Sequence, residues 1–121
     1  SSMSTVTEIH EVSVWTPEPL RNYDKKQHRQ FVDAFKSENQ GRSWVAISGA
    51  VVDSKVSLIV EISSDLVQKL RADHLMKRLL PLIDGRGGGK PQRAEAGGKY
   101  PDRIGELYKE GLKAVREALE G

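Results

Sequence analysis

Apolar residues recur along this chain at two spacings, and the switches between them outline the elements. Val6 to Trp15 reads as a strand: Val12 and Val14 alternate with polar neighbours, and Pro17 and Pro19 stop the run. Asp24 suits the N-cap of a helix reaching to about Ser37, with Phe31, Val32 and Phe35 on one face. Asn39-Gln40-Gly41 ends it. Trp44 to Val52 and Lys55 to Ile62 are rich in β-branched residues, and Asp53-Ser54 between them is a tight turn, which predicts an antiparallel hairpin. Its apolar residues are nearly continuous in places, as in strands covered on both faces.

Ser63-Ser64-Asp65 caps a short helical stretch carrying Leu66, Val67 and Leu70. A second stretch sets Leu75, Met76, Leu79, Leu80 and Ile83 on one face, and Pro81 should kink or end it because its ring clashes with the preceding turn. Asp84 to Lys90, DGRGGGK, predicts a glycine-rich loop, and Pro91 to Ala96 a short strand. Pro101 or Asp102 opens a last helix with the stripe Ile104, Leu107, Tyr108, Leu112, Val115 and Leu119. The first strand-helix-strand unit predicts a right-handed parallel crossover, to which the hairpin adds an antiparallel strand. The expected fold is α/β (α+β): a mixed β-sheet of about four strands with three or four helices, in a single globular domain. There is no internal repeat and no long linker.

The chain has 121 residues, enough for one domain. Ser1 and Ser2 ahead of Met3 read as an expression remnant, so residues 1–3 are set apart and 4–121 are taken as the domain. No apolar run approaches the roughly 18 residues of a membrane span, so no membrane partner is expected. No basic region followed by an apolar stretch marks a signal peptide. The lack of cysteine removes disulfides, thiolate nucleophiles and cysteine zinc sites together, and fits a reducing compartment. His10, His28 and His74 show no HxxxH or HExxH spacing and read as surface or half-buried residues. No catalytic residue, metal ligand or cofactor is therefore expected in this domain.

Net charge is only +2, but it is unevenly spread. Arg86, Lys90, Arg93, Lys99 and Arg103 outnumber Glu95 and Asp102 in one stretch, as an anion-binding edge on a near-neutral domain requires. Three successive glycines sit inside that stretch, and each costs about 1 kcal/mol relative to Ala in a regular element. They suit a backbone that turns sharply and exposes its N–H groups; with Arg86 and Lys90 alongside, that makes a phosphate cradle. A solvent-exposed turn with ordinary surface charges fits the glycines equally well. A Walker loop is excluded because Pro91 follows the lysine and the loop follows a helix. The dinucleotide GxGxxG pattern lacks its strand before and helix after. Lys25-Lys26 with Arg29 form a second basic group, read as the solvated face of a helix start. Among the aromatics, Trp44 and Tyr108 are expected in the core, whereas Tyr100, between Lys99 and Pro101, is a candidate for stacking or phosphate contact.

The segment GRGGGKPQRAEAGG resembles the glycine-rich signature near the C-terminus of alanyl-tRNA synthetases. Trp44 to Asp65 is similar to the segment that precedes the signature in bacterial-type members, and the final amphipathic helix also matches. The resemblance covers roughly Arg42 to Leu119; the first part of the chain fits in outline. The same domain type accompanies DHH-family phosphoesterases, where histidine typically follows the glycines; Lys90 stands there in this chain and favours the synthetase branch. What the resemblance implies is a non-catalytic module that binds the outer corner of tRNA, alanine tRNA above all, for the aminoacylation and editing modules. Its partners would be that tRNA, the other domains of the parent ligase and, in some members, a second copy of itself. The parent would work in the cytoplasm, or in the mitochondrial matrix if organellar. The residues implied near RNA are Arg86, Gly87, Gly88, Gly89, Lys90, Gln92, Arg93, Lys99 and Tyr100. The competing readings are an accessory nucleic-acid-binding domain of a DHH-type phosphoesterase and a dimerisation module.

Overall fold

The structure is a computed structural model, described here for residues 5–121. Met3 and the residues around it lie outside the described residues. One mixed sheet runs through the domain. Its strands are β1 (Val6–Ile9), β2 (Val12–Trp15), β3 (Leu20–Arg21), β4 (Trp44–Val52), β5 (Lys55–Ile62), β6 (Arg86–Gly89) and β7 (Arg93–Gly98). The spatial order is β1-β2-β4-β5-β7-β6, with β3 also paired to β4. The helices are α1 (Lys25–Glu38), α2 (Ala72–Leu79) and α3 (Ile104–Glu120).

The class matches the expectation, and the sheet is larger than expected, with 7 strands. Val6 to Trp15 is two strands, folded back at His10 and Glu11, whose φ angles of 47° and 67° form a two-residue turn. That backbone twist matches the strands, but His-Glu carries none of the usual Asn-Gly signal. The Asp53-Ser54 turn has the same left-handed pair, with φ of 51° and 63°, and closes the β4–β5 hairpin. β2 and β4 run parallel across α1, as the crossover rule requires.

Alternation along the strands gives each face its own cover. Trp44, Ala46 and Ile59 pack with Val32 of α1, joined by Trp15 and Phe35. Phe35 stacks on Trp15 at 4.2 Å and meets Trp44 edge-on at 5.4 Å. On the opposite face Val45, Ile47, Leu58, Val60 and Ile62 pack against Leu75, Met76 and Leu79 of α2 and Leu107 and Val115 of α3. α2 stops at Leu79, and Leu80–Ile83 continues as a 3-10 turn holding Pro81. Pro101–Arg103 is another such turn leading into α3. Tyr108 is drawn into this layer as expected. Its hydroxyl accepts from Gly49 N–H at 3.0 Å and donates to the Pro17 carbonyl, so burial pushes its pKa up to about 12.

α1 begins with a reciprocal cap. Asp24 Oδ1 accepts from Gln27 N–H at 2.8 Å, and Gln27 Oε1 accepts from Asp24 N–H at 2.8 Å. The helix lies over β4 and β5, its Arg29 and Asp33 reach β7 through ion pairs, and the outer strand β6 is exposed.

A candidate nucleic-acid interface on the glycine hairpin

The glycine-rich segment is an edge strand where a loop was expected. Gly87, Gly88 and Gly89 extend beside β7 in the register Gly87↔Ala96, Gly88↔Glu95 and Gly89↔Ala94. Lys90 N–H donates to the Arg93 carbonyl at 2.8 Å, so Pro91 and Gln92 form the turn. Close approach explains why a strand can be built from glycine at the cost noted above. A Cβ at Gly87, whose φ is 157°, would lie 2.2 Å from the Glu95 carbonyl oxygen. Gly88 differs: a Cβ there would meet nothing within 4 Å. The fold therefore requires glycine at 87, while at 88 it leaves open space on the exposed edge.

Pairing puts Arg86 and Gly88 on the sheet face of Gly97 and Glu95, the face that carries α1. Arg86 and Lys90 are exposed, and neither has an ion-pair partner among the described residues. Lys99 pairs with Asp84 at 3.2 Å, with both side chains largely in solvent. Tyr100 is exposed in a left-handed conformation, and the Arg103 guanidinium lies 4.3 Å from its ring centre. Gln92, at the other end of the hairpin, lines a separate cavity of about 380 Å³ with Lys36, Arg42, Trp44 and Asp65. Hydrogen bonds from Ser43 and Ser63 hold the Asp65 carboxyl below the usual carboxylate range. The nine residues singled out in the sequence thus lie on or beside one hairpin, spread from Arg86, Lys99 and Tyr100 at one end, along Gly87–Gly89, to Lys90, Gln92 and Arg93 at the other.

Arg93 stands apart from them. Its Nη1 lies 2.7 Å from both Asp33 and Glu61, and its Nε 3.3 Å from Glu95. Glu61 is 2% exposed, and Lys36 is its other partner at 3.1 Å. The guanidinium of Arg93 thereby pins the hairpin to α1 and β5.

Three residues of α1 lie near the hairpin without any local sequence signal for it. Lys25 and Arg29, expected on a solvated helix face, line one cleft of about 240 Å³ with Arg86, Glu95 and Gly97. His28, expected at or near the surface, is fully buried. Its Nδ1 lies 2.9 Å from Ser57 Oγ and its Nε2 2.9 Å from Ser48 Oγ. Both ring nitrogens are thus satisfied without a charge, and desolvation lowers its pKa to about 4. Spacing gave no sign of this, because the two serines come from β4 and β5.

The chain belongs to the DHHA1 domain family, whose model matches residues 12–120. Among curated relatives it resembles alanine–tRNA ligases. It is 41% identical to that of Pediococcus pentosaceus over 95 residues, covering 78% of this chain and 10% of the relative. It is 35% identical to that of Bacillus pumilus over 121 residues, covering 99% of this chain and 13% of the relative. The chain thus spans about a tenth of the length of these relatives. Its fold matches the C-Ala domain of Aquifex aeolicus alanyl-tRNA synthetase with a TM-score of 0.76 at 19% identity, covering 98% of this chain and 100% of that one. A DHH-domain protein described as a member of the S1P family of ribosomal proteins matches with a TM-score of 0.61 at 16% identity, over 92% of this chain and 27% of that one. No helix of the described residues is long and apolar enough to cross a membrane. The family match extends the likeness upstream of Arg42, into β2 and α1.

Proposed function

We propose that this chain is the C-terminal tRNA-binding module of a cytoplasmic alanine–tRNA ligase, and that the β6–β7 hairpin faces the RNA. One observation carries this reading: an uncovered glycine edge strand flanked by two exposed cations, Arg86 and Lys90, that no carboxylate neutralises among the described residues. Phosphate oxygens can approach such a backbone closely and take charge-assisted hydrogen bonds from its flanks. The likeness to alanine–tRNA ligases supports tRNA as the RNA and the other ligase domains as neighbours. Phosphate contacts position a partner without reading its sequence, which suits a module that holds the tRNA corner while other parts of the ligase do the chemistry.

Filter binding across a salt series tests the reading. Each phosphate contact adds roughly 0.9 to the slope of log affinity against log salt on a duplex. Replacing Arg86 and Lys90 together by Ala should flatten that slope by about 1 to 2 and weaken binding to any tRNA-like shape. An unchanged slope would remove the hairpin from the interface.

Gly88→Val offers an independent check. The site has room for a side chain, so the variant should keep the parental melting temperature. A branched side chain on the open edge should nevertheless hold phosphates off, with an affinity loss of about tenfold, or about 1.4 kcal/mol. If the folded variant binds as tightly as the parent, Gly88 is not a point of close approach.

A further inference from the structure

The α1 face of the hairpin holds a second feature that the glycine segment alone does not explain. α1 covers β4 and β5 but stops short of β6, which leaves a cleft of about 240 Å³ between helix and edge strand. Lys25 and Arg29 contribute one wall from successive turns of α1, and Arg86 contributes the other from β6. The floor is Ser57, Ile59, Ala96 and Gly97. Ser57 is only 6% exposed, and its hydroxyl is fixed by the buried ring of His28. Among the described residues Glu95 is the one carboxylate lining the cleft, and it already serves Arg29 at 2.9 Å and Arg93 at 3.3 Å. Lys25 and Arg86 have no ion-pair partner among the described residues. The first turn of α1 holds no acidic residue, although Asp24 caps it. Lys25 and Arg86 also line a wider neighbouring cavity, together with Lys55, Lys99, Asp53 and Asp84.

We infer that this cleft seats one internal phosphodiester of the bound RNA, gripped by Lys25 of α1 and Arg86 of β6 together. The inference rests on the reading of the hairpin as an RNA interface, and extends that interface onto α1. An anion fits the cleft because cations from two separate elements converge there with a rigid hydroxyl on the floor, and one carboxylate does not cancel them. The glycine edge beside it lets the sugar-phosphate chain pass over β6 at Gly88. Arg86 thereby serves the edge and the cleft at once, and Lys25 becomes part of the site.

A double-mutant cycle on tRNA binding tests this with the whole chain. Two side chains that grip one phosphate are coupled, so their losses do not add. Lys25→Ala and Arg86→Ala should each weaken tRNA binding by about fivefold, and the double variant by about tenfold, well short of the product of the two. The control removes Lys113 and Arg116, which are exposed on α3 and touch neither wall, and should stay within about twofold of the parent. None of these residues has an ion-pair partner among the described residues, and thermal melts should coincide with the parent. Removing the terminal phosphate of the tRNA should leave every ratio unchanged. The cleft assignment falls if Lys25→Ala binds like the parent, if the losses multiply, or if the control loses as much; the hairpin reading is then decided separately by the salt slope of the Arg86/Lys90 double variant. It also falls if dephosphorylated tRNA no longer distinguishes Lys25→Ala from the parent, since the cleft would then take a chain end. A parent chain that binds no tRNA removes both.

Discussion

Arg93→Ala should lower the stability of the fold by about 3 kcal/mol, the low end of the range for breaking a buried ion pair. Glu61 is 2% exposed, and Arg93 Nη1 is one of its two cationic partners. Without that guanidinium, the Glu61 carboxylate keeps one cationic partner among the described residues, Lys36 Nζ, at 3.1 Å on a half-exposed side chain. Asp33 and Glu95 lose the same partner, but they reach solvent and lose little. The penalty thus comes from one buried charge, and neutralising that charge should relieve it. In a Glu61→Gln background, Arg93→Ala should cost about 1 kcal/mol. Urea unfolding of the four proteins of this cycle measures both numbers. Equal costs in the two backgrounds would show that Arg93 does not act through Glu61. The result also bears on the proposed interface, because a residue so committed would affect RNA through the position of the hairpin.

Stability should fall steeply as pH drops from about 6.5 to about 4, and His28 should be the main cause. Burial between Ser48 and Ser57 lowers its pKa from 6.5 to about 4, so the folded chain binds fewer protons than the unfolded chain in that window. Stability therefore rises with pH there, and the contribution is complete above the unfolded value. The depressed pKa is worth about 3 kcal/mol between the two ends, at 1.36 kcal/mol per unit. Paired or hydrogen-bonded carboxylates such as Asp65 and Glu117 have lowered pKa values as well, and their contribution is lost mainly below that window. The informative quantity is thus a difference between two proteins. His28→Gln should be less stable than the parent at pH 7, and its stability should change by about 3 kcal/mol less on going to pH 4. Parallel pH profiles for the two proteins would contradict the neutral, buried assignment of His28.

Much of this architecture was legible in the chain. The Asp24 cap, the β4–β5 hairpin with its Asp53-Ser54 turn, and the stripe of α3 appear where periodicity and turn chemistry put them. Local signals sufficed there because the partners are close in sequence. The His10-Glu11 turn was missed because its residues have no turn preference and are held left-handed by the strands they join. The glycine strand was missed because propensity counts the absent side chains as a cost, whereas close approach to β7 makes their absence a requirement at Gly87. Arg93 looked like another free cation of the basic stretch, but its carboxylates lie 60 and 32 residues away, on α1 and β5. Lys25 and Arg29 are exposed at the helix start as expected, but the cleft they share with Arg86 was not legible. Their approach to Arg86 follows from the crossover that lays α1 beside the hairpin, and no local pattern encodes it.

Filter binding of the parent chain to whole tRNA, against an RNA duplex matching the acceptor arm alone, tests the central claim most directly. Whole tRNA should bind at least about tenfold tighter than the duplex, with an affinity that falls with salt and a slope that flattens when Arg86 and Lys90 are removed. Equal affinity for tRNA and duplex would contradict a module that holds the tRNA corner, and a slope indifferent to those two cations would contradict an RNA interface on the glycine hairpin.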